Sequence, residues 1–464
     1  MVKKASPPVH DCLAVRGKSF ALMRRDLSLA VVLAGFAGLA LPTASSAAQE
    51  ALRLSLAEAL AQAAAANPQA VGARWERAGR EADALGAAAA FLPQISVELG
   101  GLRTDDPVAV FGTKLRQGRF SQTDFAIDAL NFPNPVTDVS TVLSVEQPVF
   151  QPMELSGRRA ARAGAEAARL AEERTGQAVA FDVIRGYFGA RLSADRVGVL
   201  QESLAVARET LGQVEKLRRE GVVTVVDEQL ARSRVSELEA ALATASASRT
   251  ASADLLLTLL GREPGSEVEL TDSLALVESG PADSLERADL RALRAGLSAR
   301  DAQVRRARSQ WLPSLGAFGN FRWHDDDFSV ASGPQHWTAG LVVRWSPFRG
   351  LSDVGLLRRT EAEREAARAE LEAAERRARA EVRAAQAERE AARAGFAAAE
   401  AALVQAGQAA RAARVRYAEG AALITELLAV RAAESVQRLA RLHALYQARI
   451  ADAALVLALG GTPR

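Results

Sequence analysis

The sequence predicts an α+β membrane protein in which long, coiled-coil-like α-helices continue into a β-barrel shared between copies of the chain. Three observations lead to this fold class. The chain repeats one plan twice, each half carries two segments of period-two alternation, and each half ends in helical stretches longer than a globular core requires. The 464 residues are 49% hydrophobic, which excludes a disordered chain.

The N-terminal sequence predicts export. A basic start at 23–25, an apolar run over 27–41 and small residues at 45–47 form the pattern of a secretory signal. The apolar run is shorter than the roughly 20 residues that a membrane-spanning helix needs. We therefore expect residues 1–47 to be a signal peptide, and residues 1–22 lie upstream of a second candidate start codon.

The two halves share the positions of their glycines. In each half a helix of about 60 residues leads to a glycine, Gly221 or Gly420, and a helix of about 35 residues leads from there to Gly261 or Gly460. The second interval is 40 residues in both halves. The sequence therefore predicts a first repeat over 48–261, an inter-repeat linker over 262–281 and a second repeat over 282–464.

Each repeat contains one predicted β-hairpin, at 94–149 and at 314–347, and each hairpin follows a shorter helix that begins the repeat. The first hairpin is longer because it carries an Asn-, Asp-, Pro- and Gly-rich segment, which predicts a long extracellular loop over 104–138. In all four strands apolar and polar residues alternate over about ten residues, the length and pattern of a bilayer-crossing barrel strand.

Four tryptophans accompany these strands and are expected to form a membrane aromatic belt: Trp311, Trp323, Trp337 and Trp345. A membrane barrel must close, because an open edge leaves backbone groups unpaired in lipid, and four strands are too few to close. Identical chains must therefore share the barrel. Two chains give eight strands and a filled interior, whereas three give twelve strands and a lumen, which favours a homotrimer with a helical tube below the barrel.

Composition excludes several function classes. The 58 basic and 56 acidic residues give a net charge of +2 with no basic footprint for nucleic acid. The one cysteine, Cys12, excludes a disulfide framework, and four histidines leave little imidazole for catalysis. The segment WHDDDF at 323–328 lies between two strands and predicts a solvated turn, so we expect no catalytic residue, cofactor or metal site.

The segment "RYAEGAALITELL" at 416–428 resembles the helical tip of the TolC-type outer-membrane efflux proteins, with Arg416, Tyr417, Gly420 and Glu426 at the matching positions. The first repeat reads "LRREGVVTVVDEQL" at 217–230, where the glycine and an acidic residue match and the Arg-aromatic pair does not. The order and spacing of all elements resemble this family over essentially the whole chain after residue 47.

The resemblance implies a trimeric twelve-stranded β-barrel in the outer membrane, continuous with a periplasmic α-helical barrel. It also implies that a periplasmic adaptor and an inner-membrane transporter engage the tips, so that the chain is the passive exit channel of a tripartite efflux or type I secretion system. The implied partners are two further copies of the chain, the adaptor, the transporter and outer-membrane lipid, and they include no nucleic acid.

The tips are the predicted functional sites. The residues expected to form the docking surface for an adaptor are Gly221, Val222, Val223, Gly420, Ala421 and Ala422. Asp227 and Glu426 are expected to contribute to a gate or ring of negative charge, and Arg416 and Tyr417 to pack the second tip. Asp227 also has capping-box spacing to Thr224, so its carboxylate has a structural alternative.

Two other protein classes share part of this pattern. A periplasmic adaptor has a long helical hairpin after a signal, but one hairpin between soluble β-domains instead of two preceded by amphipathic strands. A structural coiled-coil protein would lack the tryptophan-rich strands. The sequence does not distinguish drugs, metal ions and polypeptides as the exported cargo, and it does not identify the pump.

Overall fold

The structure is a computed structural model that describes residues 52–276, 286–327 and 331–464. The predicted signal peptide and part of the predicted linker lie outside these residues. All elements described below belong to one unit of the chain, residues 49–464.

Helices account for most of the described residues. The helices are α1 (Leu56–Ala66), α2 (Pro68–Ala89), α3 (Pro107–Arg116), α4 (Ile127–Asn131), α5 (Pro152–Arg219), α6 (Val225–Leu259), α7 (Ala288–Arg308), α8 (Ser352–Ala418) and α9 (Ile424–Ala458). The strands are β1 (Leu52–Leu54), β2 (Gln94–Thr104), β3 (Val136–Phe150), β4 (Val268–Leu270), β5 (Ser314–Asp325) and β6 (Gln335–Arg344). Short 3-10 turns occur at Gln122–Phe125 and Ser309–Trp311.

Strands β2, β3, β5 and β6 form one antiparallel sheet in the order β2-β3-β5-β6. The helices that enter and leave these strands pack side by side in the matching order, α2-α5-α7-α8. Each strand is thus connected in the chain to one helix of the layer. At one edge of the molecule β2 follows α2, and at the other edge α8 follows β6, so connected elements lie at both edges of the sheet and of the helical layer. The four strands predicted from alternation are all present, as two neighbouring hairpins.

The helices α5 and α8 contain 68 and 67 residues, so each is about 100 Å long at 1.5 Å per residue. Each turns back through a glycine into a 35-residue helix, α6 or α9. Pro152 begins α5, where its missing N–H costs no helical hydrogen bond. No helix in the described parts of the chain is long and apolar enough to cross a bilayer.

The helix predicted at the start of the first repeat is broken at Asn67, which separates α1 from α2. The Asn67 side chain accepts hydrogen bonds from the N–H groups of Gln69 and Ala70, at 2.9 and 3.3 Å, and its amide donates to the Leu259 carbonyl at 2.8 Å. Pro68 follows and cannot donate a hydrogen bond back into α1. The break places the end of α6 against the junction of α1 and α2.

The loop predicted over 104–138 is partly helical, which corrects the expectation of an irregular segment. Strand β2 ends at Thr104, β3 begins at Val136, and α3, a 3-10 turn and α4 lie between them. Three phenylalanines hold these pieces together by edge-to-face contacts, at 4.8 Å between Phe111 and Phe120 and 5.1 Å between Phe120 and Phe125. A small aromatic core therefore orders a segment whose composition alone predicts a loop.

The main core joins α1, α5, α6 and the two-stranded parallel sheet of β1 and β4. Tyr187 lies at its centre with no exposed surface, and its hydroxyl donates to the Leu54 carbonyl at 2.9 Å and accepts from the Asp272 N–H at 3.1 Å. Burial raises the pKa of Tyr187, so the hydroxyl stays protonated as a donor. The predicted linker over 262–281 thus contains β4 and is tied into this core.

Candidate functional site

The register of the four-stranded sheet separates its side chains into an apolar face and a polar face. Residues directly opposite one another in antiparallel strands lie on one face. The residues of the apolar face include Ile95, Val97, Leu99, Val139, Thr141, Leu143, Val145, Leu315, Ala317, Phe321, Trp323, Trp337, Ala339, Leu341 and Val343, and the polar residues on the same face include Gln147, Asp325 and Gln335. The residues of the polar face include Gln94, Ser96, Glu98, Asp138, Ser140, Ser144, Glu146, Asn320, Arg322, His324, His336, Thr338 and Arg344.

Much of the apolar face is exposed, although Val139 and Thr141 at one end of it are buried. Seven of its side chains are at least 47% exposed, and they are Ile95, Val97, Leu99, Phe321, Trp337, Leu341 and Val343. Water-soluble proteins avoid a contiguous exposed apolar surface of this kind. The alternation along each strand, apolar on one side and polar on the other, is the arrangement of a barrel strand between lipid and an aqueous lumen.

The predicted belt tryptophans lie at both ends of this sheet. Trp323 and Trp337 are in the part of β5 and β6 nearest their connecting turn, and Trp337 is 74% exposed. At the opposite end Trp345 is 61% exposed, and its indole N–H donates to the Trp311 carbonyl at 3.1 Å. The two pairs therefore stand at the two ends of the strands, as a pair of interfacial belts requires.

A segment between α3 and β3 lies over one end of the polar face. The Gln117 amide donates to the carbonyl oxygens of Thr137 and Asp325, at 2.8 and 2.9 Å. The buried His324 ring places Nδ1 3.1 Å from both carboxylate oxygens of Asp138. The Gln117 contacts tie the segment between β2 and β3 to the polar face of the sheet, and the His324 contact joins β5 to β3. Within the described residues no group of three or more His, Cys, Asp or Glu side chains is placed to hold a metal ion.

Two glycine turns form the tips, which are defined here as the first tip (residues 220–224) and the second tip (residues 419–423). Gly221 and Gly420 have φ angles of 76° and 72°, a left-handed conformation that a Cβ would penalise. In each tip two N–H groups bond back to the end of the long helix, as from Val222 to the Leu217 carbonyl at 2.9 Å and from Ala421 to the Arg416 carbonyl at 2.7 Å.

The two acidic residues predicted for a charge ring both have local partners. Asp227 accepts hydrogen bonds from the Thr224 N–H and hydroxyl, both at 2.8 Å, which confirms the predicted capping box of α6. Glu426 forms an ion pair with Arg416 at 2.7 Å, and Arg416 also donates to the Ala421 carbonyl at 3.2 Å. Arg416 therefore clamps the second tip across its turn.

The first tip has an equivalent clamp that sequence comparison with the second tip missed. The Arg218 guanidinium bonds to Glu228 across the turn, and Arg232 bonds to the other oxygen of Glu228 at 2.8 Å. The hydrogen bond from Arg218 lowers the pKa of Glu228. The sequence does contain a signal for this clamp, which is the spacing of the two charged residues. Arg218 and Glu228 are ten residues apart, as are Arg416 and Glu426.

Tyr417 belongs to a small core that joins the two tips. Its ring packs against a cluster contributed by both helical hairpins, and the cluster consists of Val214, Ala231, Ala413, Ile424 and Leu427. Burial, with a smaller effect from the nearby Asp227 carboxylate, raises the pKa of the Tyr417 hydroxyl. The two tips of one chain therefore lie side by side.

The exposed surface of the tips differs from the predicted docking set. Val222 is 67% exposed and Ala421 is exposed, whereas Val223 packs against the shared core and Ala422 is half-buried. Three further residues that the sequence reasoning did not name are exposed beside them: Val225 at 52%, Val226 at 64% and Leu423 at 74%. The apolar tip surface is thus larger than predicted and is displaced toward the starts of α6 and α9.

Comparison with known proteins identifies a protein family and solved structures that this chain resembles. The outer membrane efflux protein family matches residues 46–262 and 284–461. No curated protein matches the chain significantly. Solved structures do, among them the open MtrE outer membrane channel of Neisseria gonorrhoeae, at TM-score 0.74 and 20% identity over 88% of this chain and 89% of that one.

Two further solved structures have the same fold. The CmeC outer membrane channel of Campylobacter jejuni matches at TM-score 0.73 and 16% identity, covering 88% of this chain and 86% of its own. A membrane protein from Pseudomonas aeruginosa matches at TM-score 0.72 and 20% identity, covering 88% and 90%. With both repeats matched by the family and the fold shared along nearly the whole chain, the protein belongs to the outer membrane efflux protein family.

Proposed function

We propose that three copies of this chain form one channel through the outer membrane, which serves as the passive exit duct of a tripartite efflux or type I secretion system. The observation that carries the proposal is the matching order of strands, β2-β3-β5-β6, and helices, α2-α5-α7-α8. Because both layers begin and end with the same connected pairs, one rotation about one axis would close the sheet and the helical layer together.

The edge elements have the surfaces that such closure needs. Strands β2 and β6 each have one neighbour in the sheet, so their outer backbone groups have no strand to pair with. Helix α2 has no buried residue in 22, and α8 has four in 67. These two helices are therefore open to a partner along their lengths, and pairing β6 with β2 of the next copy would bring α8 against α2 of that copy.

In the proposed barrel, one face of the sheet contacts lipid and the other contacts the water-filled lumen. With the apolar face toward lipid, the polar face lines the lumen, and the segment at Gln117 lies inside the barrel at the end away from the helices. The inserted segment with α3 and α4 would then narrow the outer mouth, because it is tied to the inner side of the sheet.

The tips are the proposed docking site of the periplasmic adaptor that links this channel to an inner-membrane transporter. Their exposed valines and leucine provide an apolar surface on which a helical hairpin can pack. We further propose that Asp227 and Glu426 set the electric field at the narrow end of the tube. Since Arg416 neutralises Glu426 locally, Asp227 contributes the larger part of that field.

The test is to express the full chain in a Gram-negative host lacking its own efflux channel and to fractionate the membranes. We expect a band in the outer-membrane fraction that migrates as a trimer without heating and as a monomer after boiling, and discrete conductance steps in planar bilayers. Recovery as a water-soluble monomer would contradict the channel and favour the adaptor-like or coiled-coil alternative.

A further inference from the structure

The ends of α6 and α9 carry one sequence pattern, Leu-Gly-x-x-Pro. It reads Leu-Gly-Arg-Glu-Pro over 260–264 and Leu-Gly-Gly-Thr-Pro over 459–463, which lie 199 residues apart. Both glycines have positive φ angles, 70° at Gly261 and 89° at Gly460. Both also press against the residues that come just before a helix, α2 or α7. A Cβ at Gly261 would lie 2.5 Å from the carbonyl oxygen of Ala66, the last residue of α1, and a Cβ at Gly460 would lie 3.0 Å from the Cα of Arg287, the N-cap of α7. The two segments are structural equivalents.

The second of these segments, at the end of α9, packs against α5 of its own chain. Gln177 donates to the Gly460 carbonyl at 2.9 Å, and Pro463 is fully buried. The chain after Gly460 lines a cavity of about 410 Å³ together with α1, α2 and α5, which we call the first groove. The residues of α2 and α5 that line it are Ala70, Arg74, Glu172, Gly176, Val179 and Ala180.

The second repeat contains an equivalent cavity, which we call the second groove. It lies between α7 and α8 and measures about 1090 Å³. Its lining residues Leu290 and Arg294 stand 220 positions after Ala70 and Arg74 of the first groove. The further lining residues Glu375, Ala378 and Arg379 stand 199 positions after Gly176, Val179 and Ala180. Among the described residues, the second groove is lined only by α7 with the two residues before it, Glu286 and Arg287, by α8 and by the end of α9, so these residues include no counterpart of the docked tail.

The first Leu-Gly-x-x-Pro segment is not buried as the second one is. Residues 261–265 are all exposed, and Arg262 holds the segment beside α1 through a 3.0 Å hydrogen bond to Gln62. The second groove of the same chain lies beyond α5 in the helix order α2-α5-α7-α8. In the trimer, however, α8 of the neighbouring copy is the next helix beyond α2.

The charges of the two surfaces are complementary. Arg379 and Arg383 line the second groove and have no ion pair within the described part of the chain, and the same holds for Glu263 in the exposed segment. By contrast, Arg294 in that groove is already paired with Glu375 at 3.0 Å. An acidic residue brought in by a second copy would thus meet two arginines that form no ion pair with the described residues of their own chain.

We infer that residues 262–264 of each copy dock into the second groove of the adjacent copy, as residues 461–463 dock into the first groove of their own chain. This inference rests on the proposed trimer and names one contact that holds it together. By this arrangement every groove around the ring is filled by a Leu-Gly-x-x-Pro segment, alternately from the same chain and from its neighbour.

The test uses pairs of cysteines in a Cys12→Ser background with a short bis-maleimide cross-linker on outer-membrane fractions. Glu263→Cys with Arg379→Cys should give covalent dimers and trimers on denaturing gels, while either single variant should give none. Thr462→Cys with Ala180→Cys is the intrachain equivalent and should give a cross-linked monomer. Glu263→Cys with Arg411→Cys is the matched control, because Arg411 is about 48 Å farther along α8 and should not react.

Exchanging the charges of Glu263 and Arg379 provides a second test, with the amount of unheated trimer as the measured quantity. Glu263→Arg should reduce the unheated trimer band about tenfold, because repulsion is introduced at three interfaces, and adding Arg379→Glu should restore it. One result would overturn this inference without contradicting the proposed channel. It is a protein that forms the trimer normally and cross-links at the intrachain pair, but gives no product for Glu263→Cys with Arg379→Cys. Failure of the parent protein to form a trimer would overturn both.

Discussion

Adjacent residues of β3 allow the membrane orientation of the sheet to be tested with one substitution on each face. Leu143 lies on the apolar face between Val97 and Phe321, and Ser144 lies on the polar face between Ser96 and Asn320. Both residues are near the middle of the strands. The perturbation is Leu143→Arg, and its matched control is Ser144→Arg, which introduces the same side chain one residue away.

The expected magnitude follows from the position of each residue. An arginine on the lipid face near the middle of a barrel strand costs about 2–4 kcal/mol, whereas a lumen-facing substitution alters selectivity at little cost in stability. Since about 1.4 kcal/mol corresponds to a factor of ten, Leu143→Arg should lower the equilibrium constant for folding in the membrane by roughly 30- to 1,000-fold for each copy. Ser144→Arg should leave it within about threefold.

The assay is the denaturant dependence of folding into phospholipid vesicles, followed by the shift between unheated and boiled bands on gels. We expect the transition of Leu143→Arg at clearly lower denaturant than that of the parent, with Ser144→Arg close to the parent. Equal loss in the two variants, or a larger loss for Ser144→Arg, would refute the assignment of the apolar face to lipid.

Three further outcomes follow from individual contacts. Gly261→Ala should destabilise the fold by at least about 1–2 kcal/mol because a Cβ is forced into a left-handed backbone, whereas Gly212→Ala, in open space within α5, should stabilise it by about 0.5–1 kcal/mol; denaturant melts compare them. Tyr187→Phe should cost about 1–3 kcal/mol in the same melts, because the Asp272 N–H loses its acceptor while the Leu54 carbonyl keeps its bond from the Thr271 N–H, and an unchanged midpoint would contradict the role of that hydroxyl. The lowered pKa of Glu228 means that its pairing with Arg218 stabilises the first tip above about pH 4.3 and is lost as the pH falls through the depressed value, so proteolysis at the tip should rise in acid, and Glu228→Gln should abolish that dependence.

Local sequence patterns were sufficient for the elements and their faces. Alternation predicted the apolar residues of all four strands, because a side-chain period of two is fixed by the backbone of a strand. The glycines at the tips were found because a left-handed turn after a helix needs a residue without a Cβ. Thr224 and Asp227 could be paired because a capping box spans only three residues.

Features that depend on contacts between distant segments were missed or only partly predicted. Val223 was expected on the docking surface but packs into the core shared by the two tips, and nothing near it in the sequence indicates that the second hairpin lies alongside. The break at Asn67 was passed over although Asn-Pro is a local signal for it, and only the contact of its amide with the Leu259 carbonyl, almost 200 residues away, depends on the tertiary structure. The Phe111, Phe120 and Phe125 cluster ordered a segment that its composition predicted as irregular.

The sequence alone determined which residues share one face of the sheet, where the chain turns, and that four strands per chain are too few to close a barrel, because these depend on side-chain period, backbone conformation and strand count. Only the tertiary structure decided the order α2-α5-α7-α8, the clamp of Arg218 on Glu228, and the docking of Pro463 at the first groove, with no equivalent segment among the described residues at the second. These depend on which surfaces meet, and that is set by packing among segments far apart in the chain.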